Sequence, residues 1–274
     1  MPEIYVQKFF EMLEQNLGIL LDSSKEYLVR AKLIPVIDRT NHQDVRTFIE
    51  ELSRTKVGPL HWMAFEALTT NETSFFRDKH VFDGIRDVVL PKIIEVRKNA
   101  KTLKVWSLAS SSGQEAYSIA MLIRESFPEL INWNISIQGT DISRLMLEKA
   151  KTGIYSAHEL SRGLDSHLIN KYFKEVDKGA FQVNQDIRET VSFSSHNLVH
   201  EWPPFPIFDI ILLRNVLIYF NQERRNLVLQ KAHQHLDSQN GMLILGSSES
   251  TASCSLYTQM SMGEASYFTP TYQN

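Results

Sequence analysis

Cysteine is almost absent: Cys254 is the single one in 274 residues. That excludes an intramolecular disulfide and any Cys-rich metal site, and it fits a reducing compartment. Long apolar runs are missing too. The most apolar stretch, 208–220, is broken by Arg214 and Asn215 and is too short to span a bilayer. The opening Met1-Pro2-Glu3-Ile4-Tyr5 lacks the basic and apolar regions of a signal peptide. A soluble cytoplasmic chain, not inserted in a membrane, is expected. Neither sign of charge dominates: 29 Lys and Arg stand against 32 Asp and Glu, a formal net charge of -3, which argues against a nucleic-acid partner. No Gly-x-Gly-x-x-Gly, internal repeat or low-complexity run is present. What remains is an ordinary globular composition, 43% hydrophobic and 22% charged. The length suits one large domain, or a small one beside a medium one.

Residues 3 to about 70 read as helical. Val6, Phe9, Phe10, Leu13 and Leu17 repeat at helical spacing, and Gly18 closes that helix. Ser23 with Glu26 resembles a capping box for a second helix. Lys25, Lys32 and Arg39 follow at seven-residue intervals, which drift only about 20° per step around a helix. They form either a solvated face or a docking face for an acidic partner, with Pro35 placed to kink the helix between them. Further helices are expected over 44–54 and 60–68, before 69–73 breaks the pattern. The stretch 79–98 reads as a helix kinked at Pro91. From Leu103 onward strands and helices alternate, the pattern of a doubly wound, mostly parallel α/β sheet. Short alternating runs at 181–183 and 190–193 suggest a small antiparallel β insertion at about 172–195. The expected organisation is a helical domain over 1–78, a linker helix over 79–101, and an α/β domain over 102–274.

The chain is organised around 106–121. Val105, Trp106 and Leu108 favour a buried strand; Ser110, Ser111, Ser112 and Gly113 form a turn of very small side chains; a helix starts near Gln114. A strand, a tight turn and a helix N-terminus open a nucleotide-binding α/β unit, although an ordinary strand-to-helix connection has the same outline. Asp141 ends the second strand, where a carboxylate accepts hydrogen bonds from ribose hydroxyls; it equally suits a helix N-cap. Glu115 sits in the first helical turn, where the macrodipole favours an acid with or without a ligand. An acid in place of a diphosphate-binding glycine pattern points to a positively charged ligand without phosphates. S-adenosylmethionine fits that description; NAD and ATP do not. Two segments have no packing rationale: 69–78, which is polar, then doubly aromatic, then charged, and 214–220, which follows the most buried strand. A structural salt bridge is the plain alternative for Arg77 and for Arg214.

Thr69-Thr70-Asn71-Glu72-Thr73-Ser74-Phe75-Phe76-Arg77-Asp78, Trp106 through Ala120, Gly139-Thr140-Asp141-Ile142-Ser143 and Arg214-Asn215-Val216-Leu217-Ile218-Tyr219-Phe220 together resemble the CheR family of chemotaxis-receptor methyltransferases. The four motifs fall in the family's order, and the similarity runs over nearly the whole chain. The resemblance implies a class I S-adenosylmethionine-dependent fold. It also implies cofactor contacts from Asn71, Thr73, Arg77, Glu115, Asp141, Asn197, Leu198, Asn215 and Val216, with Arg77 and Tyr219 positioning the reacting groups. Departures are mild: Ser110 and Leu213 stand where many members have Cys, and Ala116 where many have Pro. The implied reaction is methylation of glutamate side chains on the cytoplasmic helical region of chemoreceptors, leaving S-adenosylhomocysteine. A monomer is expected, with Lys25, Lys32 and Arg39 engaging the receptor. Some members hold a receptor's tail peptide on the β insertion, and the short Asp177-Lys178-Gly179 turn leans against that here. A catalytically idle cofactor-binding adaptor, and a methyltransferase of small molecules or nucleic acid, are the competing readings.

Overall fold

The apolar periodicity of the first 70 positions folds into four helices in a computed structural model that describes residues 3–271, the side chains of Glu3 and Ser23 excepted. These are α1 (Glu3–Leu17), α2 (Glu26–Ile37), α3 (Val45–Arg54) and α4 (Pro59–Leu68). Phe9, Leu13, Leu33, Phe48 and Phe65 are fully buried in their shared core. Asp44 caps α3 by accepting from the Thr47 N–H at 2.8 Å, and Pro59 opens α4, where its missing N–H costs nothing. The expected capping box involves the Ser23 side chain, which lies outside the described residues. Asp22 instead accepts from the Ser24 N–H at 2.8 Å in a 3-10 turn over Ser23–Lys25. Pro35 falls in the last turn of α2, and the helix runs past it to Ile37.

The stretch 79–98 is helical throughout, as α5 (Lys79–Gly84), a π-helical turn (Ile85–Val89) and α6 (Leu90–Arg97). The irregularity precedes Pro91 rather than sitting on it. Proline cannot bond the carbonyl four residues back, and the widened turn accommodates that loss.

The remainder alternates. It runs β1 (Thr102–Leu108), α7 (Gln114–Ser126), β2 (Asn134–Asp141), α8 (Arg144–Thr152), β3 (Ile154–Ser156), α9 (Ala157–Ser161), α10 (Ser166–Tyr172), β4 (Phe173–Asp177) and β5 (Ala180–Val183). Then follow α11 (Gln185–Arg188), β6 (Val191–Ser195), β7 (Ile210–Leu213), α12 (Gln222–Gln234), β8 (Met242–Leu245), β9 (Tyr257–Met262) and β10 (Ala265–Pro270). Seven strands form one sheet in the order β6-β2-β1-β7-β8-β10-β9. It is parallel except for β10, which runs antiparallel to both β8 and β9. Every residue of β7 and β8 is buried, as strands covered on both faces must be. From β1 the chain moves outward to β2 and β6, then returns to β7 on the other side of β1. That reversal opens a crevice at the carboxyl ends of β1 and β7.

The small antiparallel insertion expected at about 172–195 is present with shifted bounds, two of its strands falling within that range and the third preceding it. The antiparallel sheet is β3-β5-β4, spanning 154–183. Residues 191–195 belong to the main sheet, as β6 paired parallel to β2 with Ile137 opposite Val191. Val191 and Phe193 alternate with serines because an edge strand buries one face, and alternation alone does not distinguish the two kinds of edge.

Candidate functional site

The turn after β1 carries unusual backbone. Ala109, Ser111 and Gly113 have φ of 55°, 49° and 90°, a region most non-glycine residues avoid. The turn is tied down by Asp141 at the end of β2, whose Oδ2 accepts from the Ser111 N–H at 2.8 Å and Oδ1 from the Ser143 N–H at 2.9 Å. Asp141 is therefore not the cap of α8. Ser143 is, accepting from the Met146 N–H. Each Asp141 oxygen retains a second lone pair, and burial raises the carboxyl above its ordinary value although backbone N–H groups pull the other way.

Glu115, in the first turn of α7, accepts from Ser107 Oγ at 2.7 Å and from Arg214 Nη1 at 2.9 Å. Arg214 also donates through Nη2 to Asp78 Oδ2 and to the Arg77 carbonyl, both at 2.8 Å. Its side chain is 1% exposed. The structural salt bridge is thus the correct reading of Arg214, which ties β7, α7 and the 69–78 segment together. Arg77 differs. It forms no ion pair among the described residues, and Nη1 donates to the Glu72 carbonyl at 2.8 Å. Phe76 and Asp78 on either side of it hold φ of 46° and 60°, so the backbone carrying Arg77 is constrained rather than free.

The same segment is pinned at two further points. Ser111 Oγ donates to the Asn71 carbonyl at 2.8 Å. Phe75 is fully buried, edge-on to Tyr155 and Phe173 with ring centroids at 5.0 and 5.5 Å. Gly163 passes so close that a Cβ there would lie 1.8 Å from the Phe75 carbonyl oxygen. Beyond β7, Asn215 adopts φ of 59°. Its N–H and those of Val216 and Leu217 all donate to Glu249, at 2.8, 2.9 and 2.7 Å, and the Gly246 N–H adds a fourth bond at 2.8 Å. Tyr219 follows in a 3-10 turn (Leu217–Tyr219), its hydroxyl without a partner among the described residues. Asn197 donates to the Asn16 carbonyl of α1 at 2.8 Å, and Leu198 beside it is buried.

These loops enclose one cavity of about 670 Å³, a volume usual for small-ligand sites. All nine residues expected to contact cofactor line it, and so does Tyr219. Of the three expected docking cations only Lys32 does; its Nζ donates to the Leu68 and Thr69 carbonyls at 3.3 and 3.2 Å, and burial lowers its pKa. Lys25 and Arg39 flank α2 at its two ends, outside the cavity lining. His196 and Arg225 line the cavity, and Glu249 fixes one of its loops, and none of the three was expected from the sequence. Glu249 had a signal: it follows Gly246-Ser247-Ser248 at the carboxyl end of a wholly apolar strand, where turns face the crevice.

The family description "CheR methyltransferase, SAM binding domain" matches residues 71–266. A chemotaxis protein methyltransferase of Vibrio parahaemolyticus is 39% identical over 245 residues, covering 88% of this chain and 87% of that one. Chemotaxis protein methyltransferase 1 of Pseudomonas aeruginosa is 36% identical, covering 88% of each chain. The solved TehB-like SAM-dependent methyltransferase of Corynebacterium glutamicum overlays at a TM-score of 0.38 with 11% identity, covering 68% of this chain and 89% of that one. That overlay is too loose to add weight.

Proposed function

The chain belongs to the CheR family of S-adenosylmethionine-dependent chemotaxis methyltransferases, and on that premise we propose that it methylates glutamate side chains of chemoreceptors, giving methyl esters. The seven-stranded, mostly parallel sheet is the class I methyltransferase fold. The observation that carries the reading is the cavity at the β1–β7 crevice. It joins two acids, Glu115 and Asp141, to a small-residue turn and to Arg77, a cation with no carboxylate partner. Asp141 keeps lone pairs for ribose hydroxyls, and Glu115 keeps one on each oxygen for an ammonium group. Those acceptors and the absence of a phosphate-binding glycine pattern suit S-adenosylmethionine.

The bound cofactor supplies a methyl group activated on a sulfonium centre. A substrate glutamate, with an ordinary pKa of about 4.3, is ionised at neutral pH and needs no general base. The protein's task is alignment. Arg77, set between two left-handed residues, holds a carboxylate in place without a rival acid of its own. Tyr219 offers an unengaged hydroxyl from the turn that Glu249 fixes. Leu17, Leu198 and Phe220 line the cavity with apolar surface, which excludes water and strengthens the attraction between opposite charges as they are neutralised.

The test is methyl transfer from radiolabelled S-adenosylmethionine to a receptor cytoplasmic fragment. Label should appear on the fragment and be released as volatile methanol by mild base. Cofactor binding without transfer would favour an idle adaptor instead, and base-stable label would place the methyl on another kind of atom.

A further inference from the structure

The cations around the cavity divide into two kinds. Inside, Arg214 is neutralised by Asp78 and Glu115. Nearer solvent, Lys32, Arg77 and Arg225 come from three separate elements, and none forms an ion pair with a carboxylate among the described residues. Each is held by backbone carbonyls alone. Arg225 lies in the first turn of α12, and its Nε donates to the Leu217 carbonyl at 2.8 Å. Among the described residues its two terminal amino groups have no partner, and the residue lines the cavity. Arg225 itself is half-buried, and Ile218, which follows the carbonyl it bonds, is 45% exposed. The acids of the region are otherwise engaged: Glu72 with Arg162, Glu66 with the Arg144 N–H, Glu26 with Arg30, and Glu249 with four backbone N–H groups.

One reacting carboxylate and the cofactor's own carboxylate account for two positive charges, not three. We infer that Arg225 is a specificity-determining residue that binds a second carboxylate on the substrate segment, next to the one that is methylated. This rests on the proposed protein-glutamate activity and adds what the substrate must look like: an acidic segment whose carboxylates are clustered. Half-buried cations with no carboxylate partner, as Arg77 and Arg225 are among the described residues, pay a desolvation cost that an incoming anion relieves. They also raise the encounter rate of an acidic partner in a salt-dependent way. The second carboxylate remains charged after esterification of the first, so it sets binding and register rather than chemistry.

The experiment is steady-state methylation of a receptor cytoplasmic fragment by wild type, Arg225→Gln and Arg225→Lys, with calorimetry of S-adenosylhomocysteine binding alongside. Arg225→Gln should raise KM for the fragment roughly fivefold while kcat stays within about twofold. Arg225→Lys should recover most of the loss, and cofactor affinity should be unmoved in both. A fragment whose flanking acids are replaced by glutamine should show the raised KM with wild type and little further rise with Arg225→Gln, the signature of a coupled pair. An unmoved KM in Arg225→Gln, equal losses in the Gln and Lys variants, or a parallel fall in cofactor affinity would overturn the assignment. No methylation by wild type would instead sink the functional reading, and this inference with it.

Discussion

Arg77 and His196 show how single residues in one cavity meet opposite demands. Arg77 is a cation kept free of acids, on backbone held at a conformational extreme. Replacing it with alanine should lower kcat by about two orders of magnitude, since misplacement of a reacting group costs that much. The affinity for S-adenosylhomocysteine should change by less than about threefold, as calorimetry would show. Near-normal turnover would refute its positioning role. His196 is buried among Trp106, Trp202 and Phe205, with Nε2 lacking a partner. Burial, aided by Lys231 and His235, lowers its pKa from 6.5 to about 4. A depressed pKa means that the unfolded chain takes up the proton first as pH falls. The stability tied to this imidazole is therefore whole above about 6.5 and is lost as pH falls toward about 4. The loss is on the order of 2–3 kcal/mol. His196→Leu should flatten that part of the profile in denaturant titrations. Asp141, whose raised carboxyl has the opposite sign, is common to both proteins and drops out of the difference. At this scale Asp141 is legible from its place at a strand end, whereas Asn197 is reached only through the family resemblance. Arg225 is hidden, because its meaning comes from a partner 8 residues away, and Glu249 shows only its place after a strand end, not the backbone groups 32–34 residues back that it binds.

Among elements, the segment 69–78 matters most to the cavity, because it is neither helix nor strand and is held mainly by others. Ser111, Arg214, Tyr155 and Phe173 fix it, and Gly163 makes room for it. Gly163→Ala should push the Phe75 backbone out of place. A melting temperature lower by several degrees is expected, in line with 1–3 kcal/mol of overpacking, together with weaker cofactor binding. Unchanged melting and binding would show that the segment is looser than drawn. The long helices and the buried strands are readable from apolar period, whereas the short helices α9, α10 and α11 are not, since one or two turns carry too few apolar positions to show a period. Strand 191–195 is not readable either, because its alternation describes a half-buried edge without saying which sheet it joins. The widened turn before Pro91 was also hidden, since a proline signals a lost hydrogen bond but not where the backbone absorbs it.

At the level of the whole molecule, the helical unit and the sheet build the cavity jointly. Asn197 reaches the Asn16 carbonyl, the Arg144 N–H reaches Glu66 at 2.5 Å, and Leu17, Val29 and Lys32 share the lining with Asp141 and Asn215. Among the described residues no helix is long and apolar enough to cross a membrane. Whether a glutamate carboxylate is the methyl acceptor is decided by mass-spectrometric peptide mapping of a receptor cytoplasmic fragment after reaction with S-adenosylmethionine. The expected product is the added mass of one methylene on glutamate side chains that have neighbouring acids, removed by mild base. A methyl group found on nitrogen, or cofactor turnover with no mark on any glutamate, would contradict it.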